Sequence, residues 1–145
     1  MTKVYVSTVI DAPAADIWRI VRDFNGLPNW TPFAVESRIE QGQHADQVGC
    51  IRNFRLRDGG GIRERLLSLS DYDLSMSYAI LESPMPVENY IAALSLTPVT
   101  DGNRTFAEWQ AEFDCAPERE AALVQQIGGG VFQAGLTALQ QRFRR

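Results

Sequence analysis

The sequence predicts an α+β domain in which about seven antiparallel strands are followed by one long C-terminal helix. Three observations carry this reading. Between residues 34 and 114, strand-length segments alternate with short runs of turn residues and no helical periodicity interrupts them. Residues 3–10 alternate like a further strand and run into a short amphipathic stretch. Beyond residue 116, apolar residues recur at helical spacing almost to the last residue. At 145 residues the chain has the size of one ordinary domain, long enough to bury about 70% of its unfolded surface. A single domain over 1–145 is expected.

The elements follow in order. Val4, Val6, Thr8 and Ile10 form one face of a first strand. Asp11-Ala12-Pro13 then supplies a capping acid and a proline suited to a first helical turn. Ile17, Trp18, Ile20, Val21 and Phe24 keep helical spacing, which predicts a helix over roughly 13–23. Asn25-Gly26-Leu27-Pro28-Asn29 breaks it. Strands are expected at about 34–41, 48–57, 61–70, 74–82, 88–97 and 103–114, divided by Gly/Asp/Asn/Pro-rich turns. Connections this short make consecutive strands antiparallel neighbours, so six form a meander that the first strand joins.

Ala116-Pro117-Glu118-Arg119-Glu120 starts the last helix, with acids in its first turn. Val124, Ile127, Val131, Phe132, Leu136, Leu139 and Phe143 make the stripe that would lie along the sheet. Gly128-Gly129-Gly130 interrupts it at a cost of about 2–3 kcal/mol relative to alanine. Close packing on the sheet, a kink, or space left for a ligand are the three ways to offset that cost.

Composition excludes several function classes. A net charge of −4 with scattered cations argues against nucleic acid as a partner. The arginines at 142, 144 and 145 read as complement to a helix dipole and as solubilising charge. Met1 to Ile10 lacks the apolar core of a signal peptide, and no segment has 18 uninterrupted apolar residues. A cytoplasmic protein without stable membrane insertion is expected, with Cys50 and Cys115 reduced. One histidine, His44 in a polar turn, leaves no dedicated zinc site and no His-dependent triad. Neither glycine run has phosphate-loop spacing, so no metal and no cofactor is expected.

Glu64 is the residue on which function turns. Alternation places it on one face with Ile62 and Leu66, directly after the loop Asp58 to Gly61. A carboxylate on an apolar inner face has to be paired, protonated or used. Three readings stay open: a structural partner of an arginine such as Arg52 or of Tyr90, a ligand contact, and a general base with a raised pKa. Tyr78 shares a face with Ile80, and Tyr90 with Ala92, Leu94 and Leu96, as core aromatics or as hydrogen-bond donors to a ligand. Trp18, Trp30 and Trp109 read as core or rim aromatics, with Trp30 the one placed to touch a ligand.

Several of these pieces resemble a known family. The order strand, short helix, six-strand meander and long C-terminal helix resembles the helix-grip fold of START-like or Bet v 1-like (SRPBCC) proteins, from Val4 to Phe143. Ile10-Asp11-Ala12-Pro13-Ala14-Ala15-Asp16-Ile17-Trp18 is similar to the opening of bacterial polyketide cyclase/dehydrase-type members. Val48-Gly49-Cys50-Ile51-Arg52 and Glu64-Arg65-Leu66-Leu67 with Asn89-Tyr90 resemble pieces of the plant abscisic-acid receptors. The resemblance implies a seven-stranded, strongly bent sheet wrapped around the last helix, with an apolar cavity between them. It implies that Phe54, Leu56, Glu64, Tyr78, Ile80, Tyr90, Ala92, Gln110, Ile127, Val131 and Gly135 face that cavity. The loops at 57–61 and 84–87 lie where the receptors close over their ligand. Their Leu-Pro and His-Arg-Leu patterns are missing, and Thr31 stands at the position of the receptors' lysine, so the plant hormone is not the expected ligand.

The leading expectation is therefore a module that binds a small hydrophobic molecule, lipid or polyketide-like. The alternative is a cyclase, aromatase or dehydratase-type enzyme with Glu64 and Tyr90 in acid/base roles. A third reading is an interaction protein using the loops at 59–61 and 84–87, and a homodimer is left open.

Overall fold

The computed structural model describes residues 1–144; Arg145, last of the tail arginines, lies outside them. Seven antiparallel strands form one sheet in the order β1-β7-β6-β5-β4-β3-β2: β1 (Thr2–Ile10), β2 (Ala34–Ile39), β3 (Ile51–Leu56), β4 (Gly61–Ser70), β5 (Ser75–Glu82), β6 (Glu88–Val99) and β7 (Arg104–Asp114). Strands β2 to β7 form the expected meander and β1 returns to pair with β7. The sheet bends because extra residues are inserted on the long strands. Register shifts occur between Arg63 and Glu64 and between Leu66 and Ser68 against β5, and between Glu88 and Ile91 against β7. Such bulges kink a strand and re-aim its side chains.

The helical segments depart from expectation in three places. Pro13, expected in the first helical turn, is the N-cap of helix α1 (Ala14–Val21), and the amides of Asp16 and Ile17 donate to its carbonyl. The expected break after α1 holds a helical turn, α2 (Leu27–Trp30), with Pro28 in its first turn and Leu27 and Trp30 buried. A proline that ends one helix is equally suited to start the next.

The C-terminal helix is one rod made of three windings. A 3-10 turn (Pro117–Arg119) leads into α3 (Glu120–Ile127), a π-helical segment follows (Gly128–Gln133), and α4 (Ala134–Arg142) completes it. The π segment lengthens the interval between buried positions to five residues, from Ile127 to Phe132. Leu123, Ile127, Phe132, Leu136 and Leu139 are buried, while Val124, Val131 and Phe143 of the expected stripe are half-buried. The three glycines meet different surroundings. A Cβ on Gly128 would lie 3.3 Å from Cγ1 of Val4, so this glycine lets the helix approach β1. A Cβ on Gly129 or Gly130 would meet nothing within 4 Å.

Candidate functional site

The core between sheet and C-terminal helix has two ends of different character. At one end three aromatic rings fill the space: Trp109 stacks on Phe132 with centroids 4.7 Å apart, and Trp30 lies 5.7 Å from Trp109. Gly135 makes this possible, since its Cβ would come within 2.8 Å of the Trp109 ring and 3.3 Å of the Trp30 ring. Trp30 is buried in this stack, and its indole nitrogen has no hydrogen-bond partner among the described residues.

At the other end a cavity of about 30 Å³ remains, room for about one water. Its lining is Leu27, Phe33, Arg52, Phe54, Leu56, Ile62, Glu64, Tyr78, Ile80, Met85, Tyr90, Trp109, Ile127 and Val131. Of the fourteen side chains only Arg52 and Glu64 carry charge, and they face each other across β3 and β4. Alternation along β4 turns Ile62, Glu64 and Leu66 inward, as expected from the sequence.

Glu64 and Arg52 form a buried ion pair, with 5% and 3% of each residue exposed. Arg52 Nε donates to Glu64 Oε1 at 2.8 Å, and Nη2 lies 2.7 Å from the same oxygen. Arg52 Nη1 donates to the Phe24 carbonyl at 3.1 Å. The guanidinium carbon sits 4.0 Å above the Phe24 ring, 4.7 Å from the Tyr78 ring and 5.7 Å from the Phe54 ring. All three nitrogens of Arg52 are thus engaged and its faces are covered by aromatic rings, an arrangement that suits the weakly hydrated guanidinium. Both short contacts fall on Oε1; among the described residues no donor reaches Oε2.

The ionisable groups around the pair are all pushed toward their neutral forms. Burial raises the Glu64 carboxyl above its ordinary value, and the charge and hydrogen bond of Arg52 pull against that rise. Burial raises the Tyr78 phenol, with the Glu64 charge adding to the effect. The Tyr90 phenol is raised well above its usual value, by burial first and then by Tyr78 and Glu64. Tyr78 accepts a hydrogen bond from Trp109 Nε1 at 3.0 Å. Tyr90 stacks on Phe113 with centroids 5.7 Å apart, and its hydroxyl has no hydrogen-bond partner among the described residues. Tyr90 points inward because the β6 bulge takes Asn89 through a positive φ of 53°, anchored by an Asn89 hydrogen bond to Asp114.

Of the positions expected to face a cavity, Phe54, Leu56, Glu64, Tyr78, Ile80, Tyr90, Ile127 and Val131 do so. Four do not. Gln110 is exposed on the outer face, because β7 turns Ala107, Trp109, Ala111 and Phe113 inward. Ala92 is inward but packed away from the cavity, and Trp30 and Gly135 belong to the aromatic end. Arg52, foreseen as a partner for Glu64, is itself a wall residue. Leu27, Phe33, Ile62, Met85 and Trp109 were not foreseen as lining; Ile62 and Trp109 could have been found from strand alternation alone.

The two glycine- and proline-containing loops meet over the cavity. A Cβ on Gly60 would lie 3.3 Å from Pro84 and 3.6 Å from the tip of Leu56. Half-buried Phe33, Leu56, Met85 and Val131 form the wall on this side.

Comparisons with known proteins agree with this architecture. A family profile described as polyketide cyclase/dehydrase and lipid transport matches residues 1–144. The solution structure of a protein from Thermobifida fusca is 32% identical, with a TM-score of 0.89, and the match covers 99% of this chain and 93% of that one. XoxI from Bacillus cereus is 28% identical with a TM-score of 0.89, covering 99% and 96% of the two chains. A START superfamily protein from Mycobacterium smegmatis shares the fold at 14% identity, with a TM-score of 0.78 and coverage of 99% and 97%. Comparison with curated proteins gives no significant match. No helix among the described residues is long and apolar enough to cross a membrane.

Proposed function

Because the chain belongs to the polyketide cyclase/dehydrase and lipid transport family over residues 1–144, we propose that it is a single ligand-binding domain for a small, uncharged hydrophobic molecule with a hydroxyl or similar donor. The observation that carries this reading is the one-sided use of the buried pair. Arg52 has every nitrogen engaged, whereas Glu64 keeps Oε2 without a donor in an otherwise apolar cavity. An arriving hydroxyl can donate to that oxygen and accept from Tyr90. An arriving carboxylate would meet a cation already neutralised and a second carboxylate beside it. A few placed polar groups in an apolar lining are the usual chemistry of small-molecule sites.

At about 30 Å³ the cavity is closed down, so a ligand has to displace wall side chains. Phe33, Leu56, Ile80, Met85 and Val131 are the half-buried ones that can yield. The same reading has the protein working in the cytoplasm, where the free Cys50 and Cys115 stay reduced. The enzymatic alternative draws on the raised Glu64 carboxyl beside Tyr90; the short contacts from Arg52 favour an orienting role over that of a base.

The test is a matched trio with one skeleton, 1-decanol, decanoate and decane, followed by native mass spectrometry and thermal melting. Decanol is expected to bind and raise Tm most, since a ligand that binds only the folded state stabilises by mass action. Binding of decanoate as tightly as decanol would sink the reading.

A further inference from the structure

A second compartment adjoins the cavity. On the outer surface a groove of about 420 Å³ runs between the β3–β4 loop, the segment Pro32–Phe33 and the C-terminal helix. Phe33, Leu56 and Val131 line both this groove and the inner cavity. They are therefore a partition made of three side chains, with the Glu64 side of the cavity on one side and open surface on the other. All three are half-buried, so none has the full packing that would lock it.

The floor of the groove is open by construction. Gly130 lines it, and a Cβ there would meet nothing within 4 Å. Glycine in a helix interior carries a cost of about 0.5–1 kcal/mol against alanine, which the close approach to β1 explains at Gly128 but not at Gly130. Arg57, whose Nε donates to the Pro32 carbonyl at 3.0 Å, and Asp58 edge the groove.

Resting on the reading of the cavity given above, we infer that the groove beside Gly130 holds the tail of the ligand whose hydroxyl meets Glu64, the tail passing between Phe33, Leu56 and Val131. The occupant is thus an elongated, single-headed amphiphile. Continuity through three shared residues joins the two compartments, and the inner one alone is too small for more than a head group.

The experiment measures affinities of the 1-alkanols from hexanol to dodecanol for wild type, Gly130→Leu and Gly129→Leu. Both substitutions replace a helical glycine with open space at its Cβ, but only residue 130 borders the groove. Wild type and Gly129→Leu are expected to gain about three- to four-fold in affinity per added methylene, as for burial of a CH₂ group. In Gly130→Leu the gain should stop for the longer members, with hexanol, the shortest, losing least. Equal chain-length dependence in all three proteins would overturn this inference and leave the cavity reading standing. Failure of every alkanol to bind wild type would overturn both.

Discussion

Strand β4 contributes one residue to each of two arginine–glutamate pairs on opposite faces of the sheet. Inside, Arg52 meets Glu64; outside, the neighbouring Arg63 clasps Glu40, with Nε on Oε2 at 2.7 Å and Nη2 on Oε1 at 2.9 Å. The outer pair is extended by Asn53, which donates to Glu40 at 3.1 Å, and by Glu82, which accepts from Arg63 Nη1 at 2.9 Å. Consecutive residues, Arg63 and Glu64, thus point to opposite sides, and the two carboxyls respond in opposite ways. Glu40 is pulled down to about 2, mainly by its hydrogen bonds from Arg63, whereas burial raises Glu64. One chemical pairing serves two purposes: with water nearby it fastens β4 to the turn after β2, and without water it keeps a polar point alive inside an apolar wall.

Removing one member of the inner pair should have the largest effect. Arg52→Met leaves Glu64 buried without its partner and is expected to cost about 3–5 kcal/mol of unfolding free energy. The penalty should be greater at higher pH, because the lone carboxyl escapes part of it by taking up a proton. Replacing both, as Arg52→Met with Glu64→Leu, should be nearly neutral or stabilising by about 1–4 kcal/mol, since two costly desolvations disappear together. Chemical denaturation of the three proteins checks this, and a double variant as unstable as Arg52→Met would mean that the pair holds the fold rather than the site. That same double variant should lose selectivity for alcohol over alkane.

Acid titration sets the two faces against each other. Glu40 has its folded value below the ordinary 4.5, so the stability it contributes is present above that ordinary value and is lost as pH falls toward 2. Glu64 has its folded value above 4.5, so its protonated form is favoured by folding and its contribution declines as pH rises through the raised value. Glu40→Gln should therefore flatten the loss of stability on the acid side, read from denaturation midpoints across the acid range. An unchanged acid limb would show that the outer pair is not formed in solution.

The inner pair and the outer pair were not equally visible in the sequence. Period-two alternation put Glu64 beside Ile62 and Leu66 on the inner face, and the tight β3–β4 connection brought Arg52 within reach, so the buried pair could be foreseen. The β4 bulges preserved that phase as far as Leu66. Glu40 lies in a 3-10 turn whose course no periodicity describes, and its contact with Arg63 was out of sight. Gln110 was misplaced because a position inferred from resemblance overrode the alternation of β7, which turns Trp109 inward. Trp30 and Gly135 were misassigned for a different reason. Their packing depends on a missing Cβ at one position and a ring at another, a three-body fit that no local pattern records.

The smallest effect expected is also the cleanest separation of the two faces. At about 0.1 M ionic strength charges are screened beyond about 10 Å, and at about 1 M beyond about 3 Å, but only where solvent reaches them. The side chains of Arg63 and Glu40 are 30% and 15% exposed, while those of Arg52 and Glu64 are 4% and 6% exposed. Added salt should thus shrink the destabilisation caused by Glu40→Gln near neutral pH. It should leave the difference between wild type and the Arg52→Met/Glu64→Leu protein unchanged. Comparing differences cancels the general effect of salt on burial. If the inner difference also moved with salt, ions or water would be reaching the pair, and the polar point of the cavity would have to be redrawn as open to solvent.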